Sequence, residues 1–187
     1  MMRAYSDVYL GDVVENQGKL FDYVANTYPD KDTEDFINAY MTSKTRQSID
    51  QAKAYVNTMD AKELWEYFKE TEHYSLKQGK AMEGFIPNWI GEFYAYYQWY
   101  YNIPSAEVNQ KINVDFLKKS YYGWHDLDLD LAVQKVGEIS WRLYVFIIQM
   151  RRSQLSNWYE SKFIVDHVKF SSMEQFMVYE GLIAKFS

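Results

Sequence analysis

Histidine and aspartate are the residues of this sequence whose types and spacing could support chemistry. His73 is followed by the adjacent pair His125 and Asp126, and Asp166 comes later in the chain. Neutral imidazoles and carboxylates bind divalent metal ions, and a bound metal ion can activate a water molecule for hydrolysis. The order of these four residues therefore indicates a candidate metal-dependent hydrolytic site.

This order resembles that of the metal-dependent HD phosphohydrolases, which are all-α enzymes. In that family a small residue and a Lys usually follow the His-Asp pair within an apolar helix, whereas Leu127–Asp130 follow it here. The alternative interpretation is that His125 and Asp126 form a turn and a helix N-cap, while His73 lies in a solvated loop. We favour this alternative, and we predict no catalytic residue, no metal ligand and no cofactor.

Three aspartates alternate with leucine after His125, at positions 126, 128 and 130. An EF-hand calcium loop that began at Asp126 would need Gly at its sixth position and Glu at its twelfth, where the chain has Leu131 and Gly137. We therefore interpret the run as the solvated, acidic start of a helix, where carboxylates are favourable. A second interpretation is an acidic patch that faces a basic protein.

The composition excludes several classes of protein. Hydrophobic residues make up 48% of the chain, which is too much for a disordered protein, and the absence of Cys excludes disulfides and thiolate metal sites. The sequence contains no P-loop, dinucleotide-binding, zinc-protease or nucleophile-elbow motif. A net charge of −6, concentrated in residues 1–137, has the wrong sign for wrapping nucleic acid.

Apolar residues at three- and four-residue spacing predict helices through most of residues 1–137. Pro29 should end the first helix, Pro87 should lie in the first turn of a later one, and residues 73–84 should form a long loop. Side chains that could cap helix N-termini recur before the apolar runs. These candidate caps are Ser6, Asp32, Ser48, Asp60, Ser105 and Asn113. Ser48 could instead lie within a longer helix.

An unusually aromatic helix is predicted after Pro87, since seven of the nine residues from Phe93 to Tyr101 are aromatic. A helix that is apolar nearly all round is normally central to a fold. Core packing is therefore the first interpretation of these rings. The second is that the rings off the main apolar face reach a surface and form a binding hot spot. These rings are Tyr96, Trp99 and Tyr100.

The pattern after Glu138 is ambiguous. The run Trp141 to Met150 fits a buried helix or a strand, and residues 162–170 alternate weakly, as strands do. Ser171 with Glu174 has capping-box spacing and predicts a last helix. Together the patterns predict a compact, mostly α single domain that leaves room for a small two-stranded β element near the C-terminus. Residues 1–137 would form the helical domain, with residues 138–187 packed on the same core.

Two blocks of the sequence, residues 2–26 and 83–108, carry a resemblance to a known family. The second block contains the string A-Y-Y-Q-W-Y at positions 95–100. Together they resemble a family of small helical proteins of gut Firmicutes and their mobile elements, some of which lie beside toxin-like genes. Within that set, the chain is similar to the type II-A anti-CRISPR proteins that inhibit Cas9. The resemblance ends near residue 137 and supplies no catalytic residues.

The resemblance implies a protein-binding inhibitor that binds Cas9, alone or with guide RNA, and blocks DNA binding or cleavage. Two alternatives stay open: an antitoxin or regulator that neutralises a partner toxin, and an HD-like metal phosphohydrolase. We expect a cytoplasmic protein of a bacterial host, encoded on a phage or plasmid. We also expect no direct contact with nucleic acid or membrane, and a homodimer is compatible with the aromatic content. The candidate partner-binding residues are Tyr96, Trp99, Tyr100, Tyr121, Trp124, Asp126, Asp128 and Asp130.

Overall fold

The computed structural model describes residues 7–138 and the strands at 163–165 and 168–170. The described helices are α1 (Asp7–Thr27), α2 (Thr33–Met41), α3 (Lys44–Asp50), α4 (Ala54–Asn57), α5 (Ala61–Glu72), α6 (Ile86–Tyr101), α7 (Ser105–Lys111) and α8 (Val114–Trp124). Residues 129–138 are also helical. Strands β1 (Phe163–Val165) and β2 (Val168–Phe170) pair antiparallel, with Phe163 opposite Phe170. The mostly α fold and the small β element are therefore confirmed.

The chain divides into two compact units, Met1–Val133 and Gln134–Ser187. The predicted packing of residues 138–187 on the helical core stays a prediction. The expectations for Ser6, for residues 141–150, for Asp166 and for Ser171 with Glu174 lie outside the described residues. Within the part of the chain that the structure describes, no helix is both long and apolar enough to cross a membrane.

Helices α1 and α6 pack directly on each other and form the centre of the first unit. Gly91 of α6 lies so close to α1 that a Cβ atom at this position would be 2.6 Å from the Gln17 backbone oxygen. The Gln17 side chain reaches back across the contact, where its Nε2 donates a hydrogen bond of 2.9 Å to the Gly91 oxygen. The prediction that α6 is central to the fold is confirmed.

An aromatic cluster fills the space between α1, α2 and α5. The Phe36 ring packs edge-on against Trp65 at a centroid distance of 5.3 Å and against Phe21 at 5.6 Å. Tyr40 and Phe68 complete the cluster at 5.5 Å from each other. All five side chains are at most 1% exposed, so these rings account for much of the apolar surface that the fold removes from water.

Most of the helices begin or end where a predicted capping residue or proline lies. Asp32 accepts a hydrogen bond from the Asp35 backbone N–H, and Asn113 accepts one from Phe116. Asp60 forms a complete capping box with Glu63. Pro29 follows the end of α1, and Pro87 lies in the first turn of α6. The predicted end of α1 and the predicted starts of α2, α5, α6 and α8 are confirmed.

Ser48 takes the second of its two predicted positions, inside a helix, and the predicted cap at Ser105 is wrong. Ser48 lies within α3, whose N-cap is Ser43, and the N-cap residue of α7 is Pro104, with Ser105 as the first helical residue. The Ser105 hydroxyl instead donates a hydrogen bond to Asp50 Oδ1 at 2.7 Å. The Ser105 hydroxyl therefore bonds to a residue far away in the chain and, contrary to the prediction from the local pattern, does not cap the helix.

A buried ion pair within α3 is hydrogen bonded to Ser105 at the start of α7. Arg46 is fully buried, and its Nε donates to the Ser105 hydroxyl at 2.8 Å. Its guanidinium lies 3.5 Å from Asp50 Oδ1, and Asp50 Oδ2 accepts a hydrogen bond from the Ser105 backbone N–H at 2.8 Å. A buried charge is tolerated only when it is paired and hydrogen bonded, and these contacts meet that condition.

The predicted loop between α5 and α6 is confirmed, and hydrogen bonds and an ion pair connect it to the start of α2. His73 ends α5 in the left-handed backbone conformation, with φ of 50°. The Tyr74 hydroxyl donates to Asp35 Oδ2 at 2.9 Å, and Lys77 Nζ lies 2.6 Å from Asp35 Oδ1. The Met82 backbone N–H donates to the Thr33 hydroxyl, so the loop is held at several points along its length.

Candidate functional site

Helix α8 carries several of the predicted partner-binding residues and is fixed at both ends. At its start, Asn113 caps the helix, and Val114 and Leu117 are buried. Near its end, the Tyr121 ring packs edge-on against Trp89 of α6 at a centroid distance of 5.7 Å. Because Trp89 is only 4% exposed, the last turn of α8 packs on a buried part of the core.

Aromatic rings cluster at this last turn. His125 stacks on Tyr121 at a centroid distance of 4.6 Å, and Tyr122 packs edge-on against Tyr121 at 5.6 Å. The His125 backbone N–H donates to the Tyr121 carbonyl, and its Nδ1 lies 2.9 Å from the same oxygen. Tyr122 is 74% exposed, so a large aromatic face is presented to solvent on an ordered support.

Trp124 lies in the same turn and is half-buried. Its ring packs edge-on against Phe116 at a centroid distance of 5.9 Å. The neighbouring Gly123 faces open space, since a Cβ atom there would meet nothing within 4 Å. The end of α8 is therefore accessible around its aromatic residues.

The predicted aspartates follow directly in the chain. The Asp126 side chain is 88% exposed and lies 3.2 Å from His125 Nε2. Asp128 is exposed, and its backbone oxygen accepts a hydrogen bond from Ala132, which opens the helical segment at residue 129. Asp130 is half-buried and accepts a hydrogen bond from the Leu131 backbone N–H. The acidic start of a helix and the turn at His125 and Asp126 are confirmed. The predicted N-cap at Asp126 is wrong, because the helical segment begins at residue 129, directly after Asp128.

We call this group of residues the α8-end surface. It combines the exposed Tyr122 ring and its half-buried aromatic neighbours with the exposed carboxylates of Asp126 and Asp128. Such a surface suits contact with a positively charged and partly apolar partner. Its residues are Tyr121, Tyr122, Trp124, His125, Asp126 and Asp128.

The three candidate residues of α6 form a separate group. Tyr96 lies 6.0 Å from Trp99 and stacks on Tyr100 at 6.2 Å, and Tyr100 packs against Tyr101 at 4.9 Å between ring centroids. Tyr96 and Tyr100 are half-buried. Trp99 is only 6% exposed, so the expectation that all three rings reach a surface is wrong for Trp99. The α6 rings pack on one another, which favours the core interpretation.

Sequence reasoning missed two parts of the α8-end surface. Tyr122 has the most exposed ring of the group and was not among the candidates, although it lies between Tyr121 and Trp124 in the chain. His125 was interpreted as a metal ligand or as part of a turn and helix N-cap, and neither interpretation includes the stacking of its ring on Tyr121. The four-residue spacing of these two was the available signal, since residues at this spacing are neighbours on a helix.

The histidines of the candidate hydrolytic site lie at two different helix ends. His73 ends α5, and His125 follows the end of α8. Among residues 7–138 and the two short strands, no group of three or more His, Asp or Glu side chains is placed to hold a metal ion. The geometry therefore gives the hydrolytic interpretation no support within the described residues.

Comparison with known proteins gives no match, because no protein-family model, no curated protein and no solved structure is significantly similar to the chain.

Proposed function

We propose that this chain is a protein-binding inhibitor that acts through the α8-end surface and that its partner is Cas9 loaded with guide RNA. The observation that carries the proposal is the exposure of Tyr122, at 74%, four residues from the Asp126 carboxylate, at 88%. Tyrosine is enriched at protein–protein interfaces, and a carboxylate beside it adds a charge that a basic partner can meet. Cas9 is named as the partner from the resemblance of residues 2–26 and 83–108 to Cas9 inhibitors, to which the comparisons add no support.

The chemistry of the surface favours arginine on the partner. A guanidinium group can stack on a tyrosine ring while its N–H groups bind a carboxylate. Tyr122 and Asp126 supply these two contacts from neighbouring turns of the chain. Cas9 holds its nucleic acids in positively charged channels, so a basic channel surface would offer the matching groups.

Charge alone would be insufficient for such binding. The net charge of the chain is −6, which is modest beside the one charge per nucleotide of DNA. Inhibition would therefore depend on aromatic anchors that bury area at low entropic cost, with the aspartates steering association and fixing orientation.

A pull-down against guide-loaded Cas9, followed by a DNA cleavage assay on the same mixture, tests the proposal. The unmodified chain should bind and suppress cleavage. Tyr122→Ala with Asp126→Asn should weaken binding by roughly tenfold or more, as expected for loss of an anchor. Its matched control is Tyr9→Ala with Asp12→Asn, which removes an exposed Tyr and an exposed Asp from α1 and should bind as the unmodified chain does.

Two outcomes would contradict separate parts of the proposal. Failure to bind Cas9 from several sources would remove this partner, and products of neighbouring genes would then be tested by co-purification for an antitoxin role. Equal binding by the Tyr122/Asp126 variant and the control would instead remove the α8-end surface as the contact. The class of partner and the location of the contact are thus tested independently.

A further inference from the structure

A small cavity lies inside the first unit, away from the α8-end surface. Its volume is about 10 Å³, and its lining includes Gln17 of α1, Tyr40 of α2, Arg46 of α3 and Asn57 of α4. A cavity must offer roughly 10–15 Å³ to hold one water molecule. The space therefore has room for about one water molecule.

Three side-chain oxygen atoms of the lining residues are buried and make no hydrogen bond within the described part of the chain. These atoms are Gln17 Oε1, Tyr40 Oη and Asn57 Oδ1. Gln17 is 2% exposed and Tyr40 is fully buried. Buried polar atoms in native proteins are almost always satisfied by protein or by ordered water, so a shared partner is expected.

The orientation of the Gln17 amide is fixed by its other end. Gln17 Nε2 donates to the Gly91 backbone oxygen at 2.9 Å, which leaves Oε1 as the atom without a protein donor. Burial raises the pKa of the Tyr40 hydroxyl well above its ordinary value, so this group keeps its proton at neutral pH. The three atoms therefore offer two amide acceptors and one hydroxyl donor.

We propose that the cavity binds a single ordered water molecule, which donates hydrogen bonds to Gln17 Oε1 and Asn57 Oδ1 and accepts one from the Tyr40 hydroxyl. One water molecule has two donors and two acceptor positions, so these bonds use both donors and one acceptor. Buried water commonly makes about three hydrogen bonds to otherwise unsatisfied groups. This water links α1, α2 and α4, and the inference is independent of the proposed function.

A high-resolution crystal structure of the unmodified chain gives the direct test. The expected result is one density peak within about 3.2 Å of all three oxygen atoms. The absence of such a peak, or a direct hydrogen bond from the Tyr40 hydroxyl to Gln17 Oε1, would overturn the proposal. This test needs no variant and is unaffected by any loss of folding.

Water relaxation dispersion gives a second test in solution, because it counts the long-lived water molecules of a protein. Tyr40→Phe with Asn57→Leu removes the donor and one acceptor, and this variant should hold one long-lived water fewer than the unmodified chain. The control is Tyr122→Phe, which removes a hydroxyl from an exposed ring and should leave the number unchanged. An equal count in all three proteins would overturn the proposal.

Discussion

Gly18 and Gly91 lie against each other where α1 crosses α6, so closely that a Cβ atom on Gly91 would be 2.8 Å from the Gly18 Cα. A Cβ atom on Gly18 would in turn meet Glu92 Cγ at 2.7 Å and the Asn88 backbone oxygen at 3.0 Å. Real side chains do not occupy such short distances. The missing side chains at this pair of positions therefore set how closely the two central helices approach.

Gly91→Ala should destabilise the fold by about 1–3 kcal/mol, because the added methyl meets backbone atoms of α1 and forces the helices apart. Urea denaturation measures this change. The matched control is Gly11→Ala, which lies within α1 and adds a methyl group with nothing within 4 Å. The control should stabilise the helix by roughly 0.5–1 kcal/mol. Equal unfolding midpoints for the two variants would contradict the close packing.

Asp50→Asn should also destabilise the protein, since it leaves the charge of the fully buried Arg46 without the Asp50 carboxylate. We expect a loss of about 2–4 kcal/mol, in the range for breaking a buried ion pair. The control is Glu15→Gln, which removes the exposed α1 pair with Lys19 and should cost less than ~0.5 kcal/mol. Similar losses in denaturant unfolding would show that the Arg46–Asp50 pair is not effectively buried.

Glu92 predicts a pH-dependent change in stability. Burial raises the pKa of its carboxyl above the ordinary value of 4.5, and the nearby Glu15 carboxylate raises it further. Because the pKa is raised in the folded state, protonation of this carboxyl favours folding, and the effect is fully present below about pH 4.5. This contribution is lost as the pH rises through the folded-state pKa. Glu92→Gln should therefore increase the free energy of unfolding at pH 7 more than at pH 4.

The control for this prediction is Glu83→Gln, where the sign is opposite. The ion pair with Lys80 lowers the pKa of the Glu83 carboxyl, so that carboxylate stabilises the fold above its ordinary pKa and loses this effect as the pH falls. Glu83→Gln should therefore leave the free energy of unfolding unchanged or slightly lower at pH 7. A parallel pH response of the two variants in denaturant titrations would contradict the environment described for Glu92.

Inhibition of Cas9, under the proposed function, should weaken only in part as salt rises from about 0.1 to 0.3 M. Charges on Asp126 and Asp128 are screened over this range, whereas contacts of the Tyr122 ring are not. Cleavage assays at a series of salt concentrations measure the effect. Complete loss of inhibition by ~0.3 M would show that charge alone mediates binding and would contradict a role for the aromatic anchor.

Local sequence signals predicted the parts of the fold that local physics decides. The Asp60 capping box, the Asn113 cap and the position of Pro87 each depend on residues within one helical turn, so their outcomes follow from short spacing alone. Ser105 shows the limit of this reasoning. Its hydroxyl bonds to Asp50, 55 residues away in the chain, and no local pattern indicates that such a partner will arrive.

The sequence also predicted those parts of the candidate site that are close together in the chain, but not the contacts that come from other helices. Tyr121, Trp124 and Asp126 lie within six positions of one another, so the sequence alone was sufficient to predict that they belong to one surface. The support from Trp89 comes from another helix and depends on tertiary packing. Arg46 is the clearest failure of local reasoning, because a charged residue in a short polar helix is normally exposed and this one is fully buried.

The contact between α1 and α6 joins residues that are far apart in the chain, as the 74-residue separation of Gln17 and Gly91 shows. During synthesis on the ribosome, the apolar face of α1 emerges long before its main partner exists. Long-range contacts of this kind slow folding, because a large loop must close before they form. A nascent chain that stops before α6 would expose this face to chaperones and proteases, so the cell can complete this fold only after α6 has been made.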